Sequence, residues 1–502
     1  MHVKSLVVVL LSLVSVPDCL LGATIRVPFE EPTIQAGVDA AATGDTVLVA
    51  PGIYRGYENK RISFYGRDIV LLSETGPEST IIDIEGFGEP DQGFSIAHGE
   101  TPAAVIDGFT VRNGYLETGA GAGMLIANSS PTVRNCIFLD NWMGSAFNDV
   151  QGGGVAIENG SPTFTNCSFI NNRVWFFGQP PGSVARGGAI YCQFSSLQLT
   201  SCTFQSNSAR AVVYAAGGGI FSHTSSIDLT ECTLIGNTAD LEGGGLCFGG
   251  SDVSIAKTII ASNESGSTGG GILSAGSILQ LSNCTLNGNG ADLAGGGLFY
   301  TGSSSDVTIE RTIIAFSQRG GAIRCDSPGD MVLRCSDLFG NVGGDWADAC
   351  VVSQPGSEGN ISADPLFCGV ATGDFHLNAA SPCAPSNTPA GCGLIGALDV
   401  GCGATAVQET ASPSANPLRI LRNPATEMAE FEIFPLDGQV LEIFAVSGRL
   451  VDRLPLLDGA SRATWQPKES TPPGIYFAAL RSANETTAVK FITAVKFILL
   501  PR

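Results

Sequence analysis

Between Leu279 and Asn289 apolar side chains alternate at Leu279 and Leu281, skip, and resume at Cys284 and Leu286. This is the pattern of two short strands joined by a bend, and helical spacing is absent. The same frame returns at Asn135 to Asn141, Asn166 to Asn172, Ser201 to Asn207, Glu231 to Asn237 and Lys257 to Asn263. Between these frames comes a glycine phrase: Gly217-Gly218-Gly219-Ile220, Gly243-Gly244-Gly245-Leu246, Gly269-Gly270-Gly271-Ile272, Gly295-Gly296-Gly297-Leu298 and Gly320-Gly321-Ala322-Ile323, at steps of 26, 26, 26 and 25 residues. A conformation that recurs at a fixed contour length is the mark of a solenoid, here with about 26 residues per turn.

In a coil of parallel strands each turn lies about 4.8 Å above the last, so equivalent residues stack on themselves. Asn141, Asn172, Asn207, Asn237, Asn263 and Asn289, with Asn113 and Asn341 as further members and Ser317 as a break, are expected to form an amide ladder. Cys136, Cys167, Cys202, Cys232 and Cys284 are expected to stack inward as small hydrophobes, with Gly108, Thr258, Thr312 and Ser336 in equivalent places.

The alternation of Phe-x-x-Asn (Phe169 to Asn172, Phe204 to Asn207) with Gly-Gly-Ala-Ile (Gly187 to Ile190) resembles the repeat of polymorphic outer membrane proteins, within the right-handed parallel β-helix, or pectin-lyase-like, superfamily. That resemblance implies an all-β parallel β-helix and, because sugar-cleaving families share the fold, leaves both enzymatic and non-enzymatic roles open.

The ends differ from the coils. Met1 to Ala23 combines His2 and Lys4, an apolar run from Leu6 to Val16, and small residues at Gly22 and Ala23, which reads as a signal peptide; the run is too short to span a membrane. Residues 24–61 read as an N-terminal cap, with Ile34 and Val38 on one face of a short helix, and resemble the entry of pectin-lyase-like proteins. Coils follow over 62–345. The period fails towards 346–402, where Cys335, Cys350, Cys368, Cys383, Cys392 and Cys402 predict a disulfide-stapled cap, with sequential pairing expected.

Residues 403–417 are linker-like. From 418 to 502 alternating strands with turns at Asp437-Gly438 and Ser447-Gly448 predict a small β-sandwich. Asn423-Pro424, Val446 to Val451 and Gly474-Ile475-Tyr476 resemble a type IX secretion sorting domain or a related immunoglobulin-like module, which implies contact with bacterial secretion machinery. One departure is the direct repeat Thr487 to Ile492 and Thr493 to Ile498.

The formal charge of -21 and pI near 4.5 argue against nucleic acid as a partner. Residues 418–502 hold 10 basic and 9 acidic residues, so the negative excess lies on the coils and cap. Solubility accounts for it, with binding of divalent cations such as Ca2+ as the sharper alternative. No cofactor is expected: no Gly-Lys-Ser/Thr follows any glycine phrase, and the histidines fall in unrelated frames.

For catalysis the best pair is Asp83 and Asp107, 24 residues apart and therefore expected to stack one coil apart at roughly 5 Å, the separation of a retaining glycosidase pair. The competing reading is a ladder of turn-bonding aspartates. The loop Arg173 to Arg186, with Trp175, Phe176, Phe177 and Pro180-Pro181, leaves the period and is where binding is expected. Two functions stand side by side: an exported or cell-surface adhesin or display scaffold facing polysaccharide or cell-surface components, and a polysaccharide lyase or hydrolase.

Overall fold

The computed structural model describes residues 22–403 apart from 87–88, 179–183, 303–306 and 327–330, and, further on, residues 418–420, 428–433, 439–445, 450–455, 462–468, 471, 474–482 and 491–499. Residues 1–21 of the signal peptide, all but one residue of the linker, both sandwich turns, Asn423-Pro424 and Pro180-Pro181 lie outside the described residues. The chain forms two compact units, residues 1–405 and 406–502.

The first unit is a parallel β-helix. One coil shows its construction: Ile272–Ala275, Ile278–Ser282, Thr285–Asn287 and Gly290–Ala291 each belong to a different sheet, and each pairs in parallel with its counterpart one coil away. These positions generate a third sheet of nine strands, a first of 12, a second of 11 and a fourth of seven. Inward residues of the second sheet, Phe138, Phe169 and Phe204 among them, form one buried column whose rings stack at 5.1 and 4.7 Å, the coil spacing itself.

Sharp bends between sheets use single left-handed residues, such as Gly276, Asn283 and Gly288 in the same coil. The glycine phrase closes the coil. Gly269 is left-handed at φ 67, and a Cβ on Gly270 would fall 2.4 Å from the carbonyl oxygen of Gly290 in the next coil. Coil stacking leaves no room for a side chain there.

Segment 24–61 is built into the solenoid rather than merely covering it: Thr24–Val27 and Thr46–Val49 begin the first sheet and Gly52–Tyr54 begins the second. The expected helix is present as Ile34–Ala40, with the Thr33 hydroxyl accepting the Ala36 N–H and with Ile34 and Val38 buried. It packs on the apolar core at the first coils.

At the far end, side chains imitate the coil that would come next. Gln354 exchanges bonds with Leu333 N–H (2.9 Å) and the Met331 carbonyl (3.0 Å), and Asn360 accepts from Ser336 N–H (3.1 Å). Asp345 accepts both the backbone and side-chain N–H of Asn341, at 2.8 and 2.7 Å. Unpaired strand edges are a template for association, and these bonds satisfy them.

The disulfides are Cys325–Cys350, Cys335–Cys392 and Cys368–Cys402, whereas Cys383 is a free buried thiol. Sequential pairing is therefore corrected, and Cys325 takes the place expected of Cys383. The reason is the path of the chain: residues 363–402 do not stack as an end plate but fold back as a strap along the outer face of the second sheet. Cys392 consequently meets Cys335 on a coil bend, 57 residues away. Gly396 N–H bonds Arg311 O (2.8 Å), Ala397 N–H bonds Thr285 Oγ1 (3.0 Å), and the Asn283 amide bonds Leu394 O (2.8 Å). Under the strap, outward-facing Ile259, Ala261, Ile313 and Ala315 become buried.

The second unit holds two antiparallel sheets. One contains Leu418–Ile420, Ala429–Ile433 and Arg462–Trp465; the other contains Gln439–Ala445, Leu450–Pro455, Gly474–Ser482 and Phe491–Leu499. Phe431, Leu441, Ile443, Trp465 and Tyr476 share one buried cluster, the arrangement of a small sandwich.

Candidate functional site

The polar columns locate what is structural. Asn141, Asn172, Asn207, Asn237, Asn263 and Asn289 are all buried, and each of the first five donates both its backbone and its side-chain N–H to the Oδ1 of the next. Each Nδ2 also reaches a carbonyl of the preceding coil, as Asn263 does to Leu234 O at 3.0 Å. Asn113 is not a member. It occupies the left-handed bend one residue earlier (φ 60), and Gly114 takes the ladder place, donating to Asn141 Oδ1. Likewise Gly108 sits at the bend equivalent to Asn135, and Phe109 matches Cys136. Asparagine suits both positions, so spacing alone does not separate them.

Cys136, Cys167, Cys202, Cys232 and Cys284 are free, buried and inward. Burial pushes the Cys284 thiol up to about 12, far from a reactive thiolate.

Asp83 and Asp107 are not brought together. Asp83 ends Thr80–Asp83 in the second sheet, beside Arg112, whereas Asp107 ends Val105–Asp107 in the first sheet, beside Leu72 and Arg134. The 24 residues between them fall short of a full coil, so the chain has not returned to the same sheet. Each carboxylate is already engaged. Asp83 Oδ2 accepts from Arg55 and Arg112, both at 2.9 Å, and its Oδ1 accepts from Asn113 at 2.8 Å. Burial opposes ionisation of Asp83, but these hydrogen bonds and the Arg112 charge outweigh it and hold the carboxyl below its usual range. Asp107 bonds Arg134 (2.7 Å) and Asn135 (2.8 Å), and Asn135 in turn accepts from Asn166, an outer turn ladder.

Of the loop expected to bind, Phe176 is buried, while Trp175 and Phe177 are exposed. Tyr115, Trp142 and Trp175 form a row at 5.0 and 6.3 Å, with Arg173 over Trp142 and Arg210 over Trp175. The rings pack on one another and against guanidinium groups, which stabilises the row, while Trp175 and Phe177 keep exposed surface.

Asp240 and Asp292, equivalent positions two coils apart, are both solvent-facing, and Asp292 bonds Arg319 at 2.9 Å. Among the described residues, the metal-ligating side chains that converge most closely are Cys325, Asp348 and Cys350, and their two sulfurs are joined as a disulfide.

A shallow groove of about 750 Å³, open to solvent, runs along the corner between the third and first sheets. Five successive coils each contribute a bend residue and the residue two places on: Asn128 and Ser130, Asn159 and Ser161, Phe194 and Ser196, Thr224 and Ser226, Gly250 and Asp252. At coil spacing these rows extend about 19 Å. The residue between each pair is buried and bolts the rows in place: Gly160 N–H donates to Ser195 Oγ (3.2 Å), Ser195 N–H to Ser225 Oγ (3.2 Å) and Ser225 N–H to Ser251 Oγ (3.2 Å).

The groove therefore presents hydroxyls and amides on a rigid frame, with the exposed Phe194 ring set edge-on to His223 at 6.4 Å. Sequence reasoning missed this site. Its signal was the recurring triplet with Ser or Gly at the centre and Ser at the end, obscured because insertions make the coils unequal.

A family model described as the right-handed β-helix region matches residues 78–239 and 188–347, together more than half of the chain. Among solved structures, a mutant of the PL6-family alginate lyase AlyGC shares 10% sequence identity, with a TM-score of 0.21 over 81% of this chain and 61% of that one, a level that carries nothing about a site. No curated protein matches the sequence. The chain belongs to the right-handed β-helix family.

Proposed function

We propose that this protein is an exported β-helix scaffold that holds an extended polysaccharide in the groove along Asn128 to Asp252 without cleaving it. The observation that carries this reading is the groove's lining: coil-spaced hydroxyl and amide groups, one exposed aromatic ring, and Asp252 as its one carboxylate. Such donors and acceptors match the hydroxyls of a glycan, whose units repeat on a similar scale, and a phenyl face accepts the apolar side of a sugar. Hydrolysis or elimination asks for a second titrating group at a defined distance. Asp83 and Asp107 are separated and engaged by arginines, so they do not supply it; at the groove the titrating groups are Asp252 and, beside Phe194 and Thr224, His223, and released sugar is the measure of whether they cleave.

Export is supported by three disulfides, which persist in oxidising compartments, and by the leader-like apolar run from Leu6 to Val16. The second unit, whose sequence resembles a sorting domain, serves as an address. The test is to apply the purified full chain to a glycan array and to insoluble polysaccharides while measuring released sugar. Retention without release is expected; released oligosaccharides would assign the protein to the lyases or hydrolases instead.

A further inference from the structure

The strap meets the second sheet through a buried acid. Asp337 opens the strand Asp337–Phe339 and has no exposed surface. Its Oδ1 accepts Ala363 N–H at 3.0 Å, and its Oδ2 lies 3.3 Å from the buried Cys383 thiol of the strap. The charged groups facing it are both carboxylates, Asp345 from the end-closing segment and Asp364 from the strap. No Lys, Arg or His among the described residues forms an ion pair with it, although the ion pairs elsewhere on the strap and end coil engage Asp348, Glu358 and Asp374. An unpaired carboxylate at such a place is costly, while the neutral acid is not.

We propose that Asp337 is the latch of a pH-sensitive clasp: as the neutral acid it holds residues 363–402 against the second sheet, and as the carboxylate it releases them while the Cys335–Cys392 disulfide keeps them tethered. Burial, with Asp345 and Asp364 adding to it, raises its carboxyl to about 7 and outweighs the Ala363 N–H and the Cys383 thiol, whose bonds favour the carboxylate. Because the folded value lies above the ordinary one of about 4, the stabilisation is fully present below about pH 4 and is lost as the pH climbs through about 7. Release uncovers Ile259, Ala261, Ile313 and Ala315, and Cys335–Cys392, which joins the strap to a coil bend, limits how far the strap departs.

Hydrogen exchange on the full chain at pH 5.5 and 8.5, divided by the intrinsic rate at each pH, tests this. Protection of the Ile395, Gly396 and Ala397 amides should fall at least ~10-fold at the higher pH, a fraction of what a rise of roughly three pH units allows, while the Asn237 and Asn263 amides stay unchanged. Asp337→Asn should abolish the difference. Strap protection that is equal at both pH values in the parent, or a drop that persists in Asp337→Asn, overturns the clasp. Should Asp337→Asn fail to fold, Asp364→Asn serves: with a facing charge removed, the closed strap tolerates the Asp337 carboxylate better, so the loss of strap protection at pH 8.5 must shrink, and an unchanged loss overturns the proposal.

Discussion

Asn263 donates to Asn289 twice, its backbone N–H lying 2.9 Å and its Nδ2 3.0 Å from the same Oδ1. Asn237 treats Asn263 identically, so each amide is clamped between a donor pair below and an acceptor above. Asn263→Leu strips Asn237 of its acceptor and leaves the Leu234 carbonyl without its side-chain donor, all out of reach of water. We expect a loss of about 2–4 kcal/mol, from the penalty for buried unsatisfied groups. A thermal melt unchanged within error would show that the ladder is incidental.

Acid should loosen the early coils. Burial opposes ionisation of Glu100, but it is outweighed by hydrogen bonds, from the Gly66 and His98 N–H groups and the Ser129 hydroxyl among them, that hold the carboxyl below its usual range; Asp83 is depressed in the same sense. For a depressed carboxyl the stabilisation is present above the unfolded value of about 4 and is lost as the pH falls through the folded one. The melting temperature should therefore drop between pH 5 and pH 2. Glu100→Gln should be less stable at pH 7 but less sensitive to acid; equal acid sensitivity would remove Glu100 from this account.

Mass mapping of unreduced peptides should recover Cys325–Cys350, Cys335–Cys392 and Cys368–Cys402, with the inward column alkylated only after unfolding and Cys383 protected at pH 5.5, where the strap is closed. Cys335→Ser should cost about 4 kcal/mol on the chain-entropy account of a loop this long. A cross-link at Cys202 or Cys232 would contradict the stacking.

A chain ending at Gly403 should keep its β-rich circular dichroism and its melting curve, since residues 1–405 form a unit with their own core. Loss of cooperative melting would show that the second unit is part of the fold.

The coil was legible because its chemistry repeats: the glycine phrase, the Asn ladder from Asn141 to Asn289 and the inward cysteines stand at spacings that a stacked chain alone explains. What escaped detection were features in which one residue type serves two positions or the spacing is not a whole coil. Asn113 lies one place off the ladder because bends also favour asparagine, and Asp83 and Asp107 fall on different sheets because their separation stops short of a full turn. The strap could not be read at all, since its contacts join residues about 80 to 110 positions apart, as Arg311 does with Cys392 and Asn283 with Leu394. The groove depends on pairing a bend with the residue two places on, across coils whose lengths differ.

The groove is the central claim, and filling it tests that claim most directly. Isothermal titration of the polysaccharide retained by the parent chain should be repeated with Ser161→Trp and Ser226→Trp, which occupy the groove from exposed positions, and with Phe194→Ala, which removes its ring. Affinity should fall at least ~10-fold in each, about 1.4 kcal/mol or more, with melting temperatures unchanged and no sugar released by any form. Undiminished affinity in the tryptophan variants would contradict the account and place the ligand elsewhere on the coils.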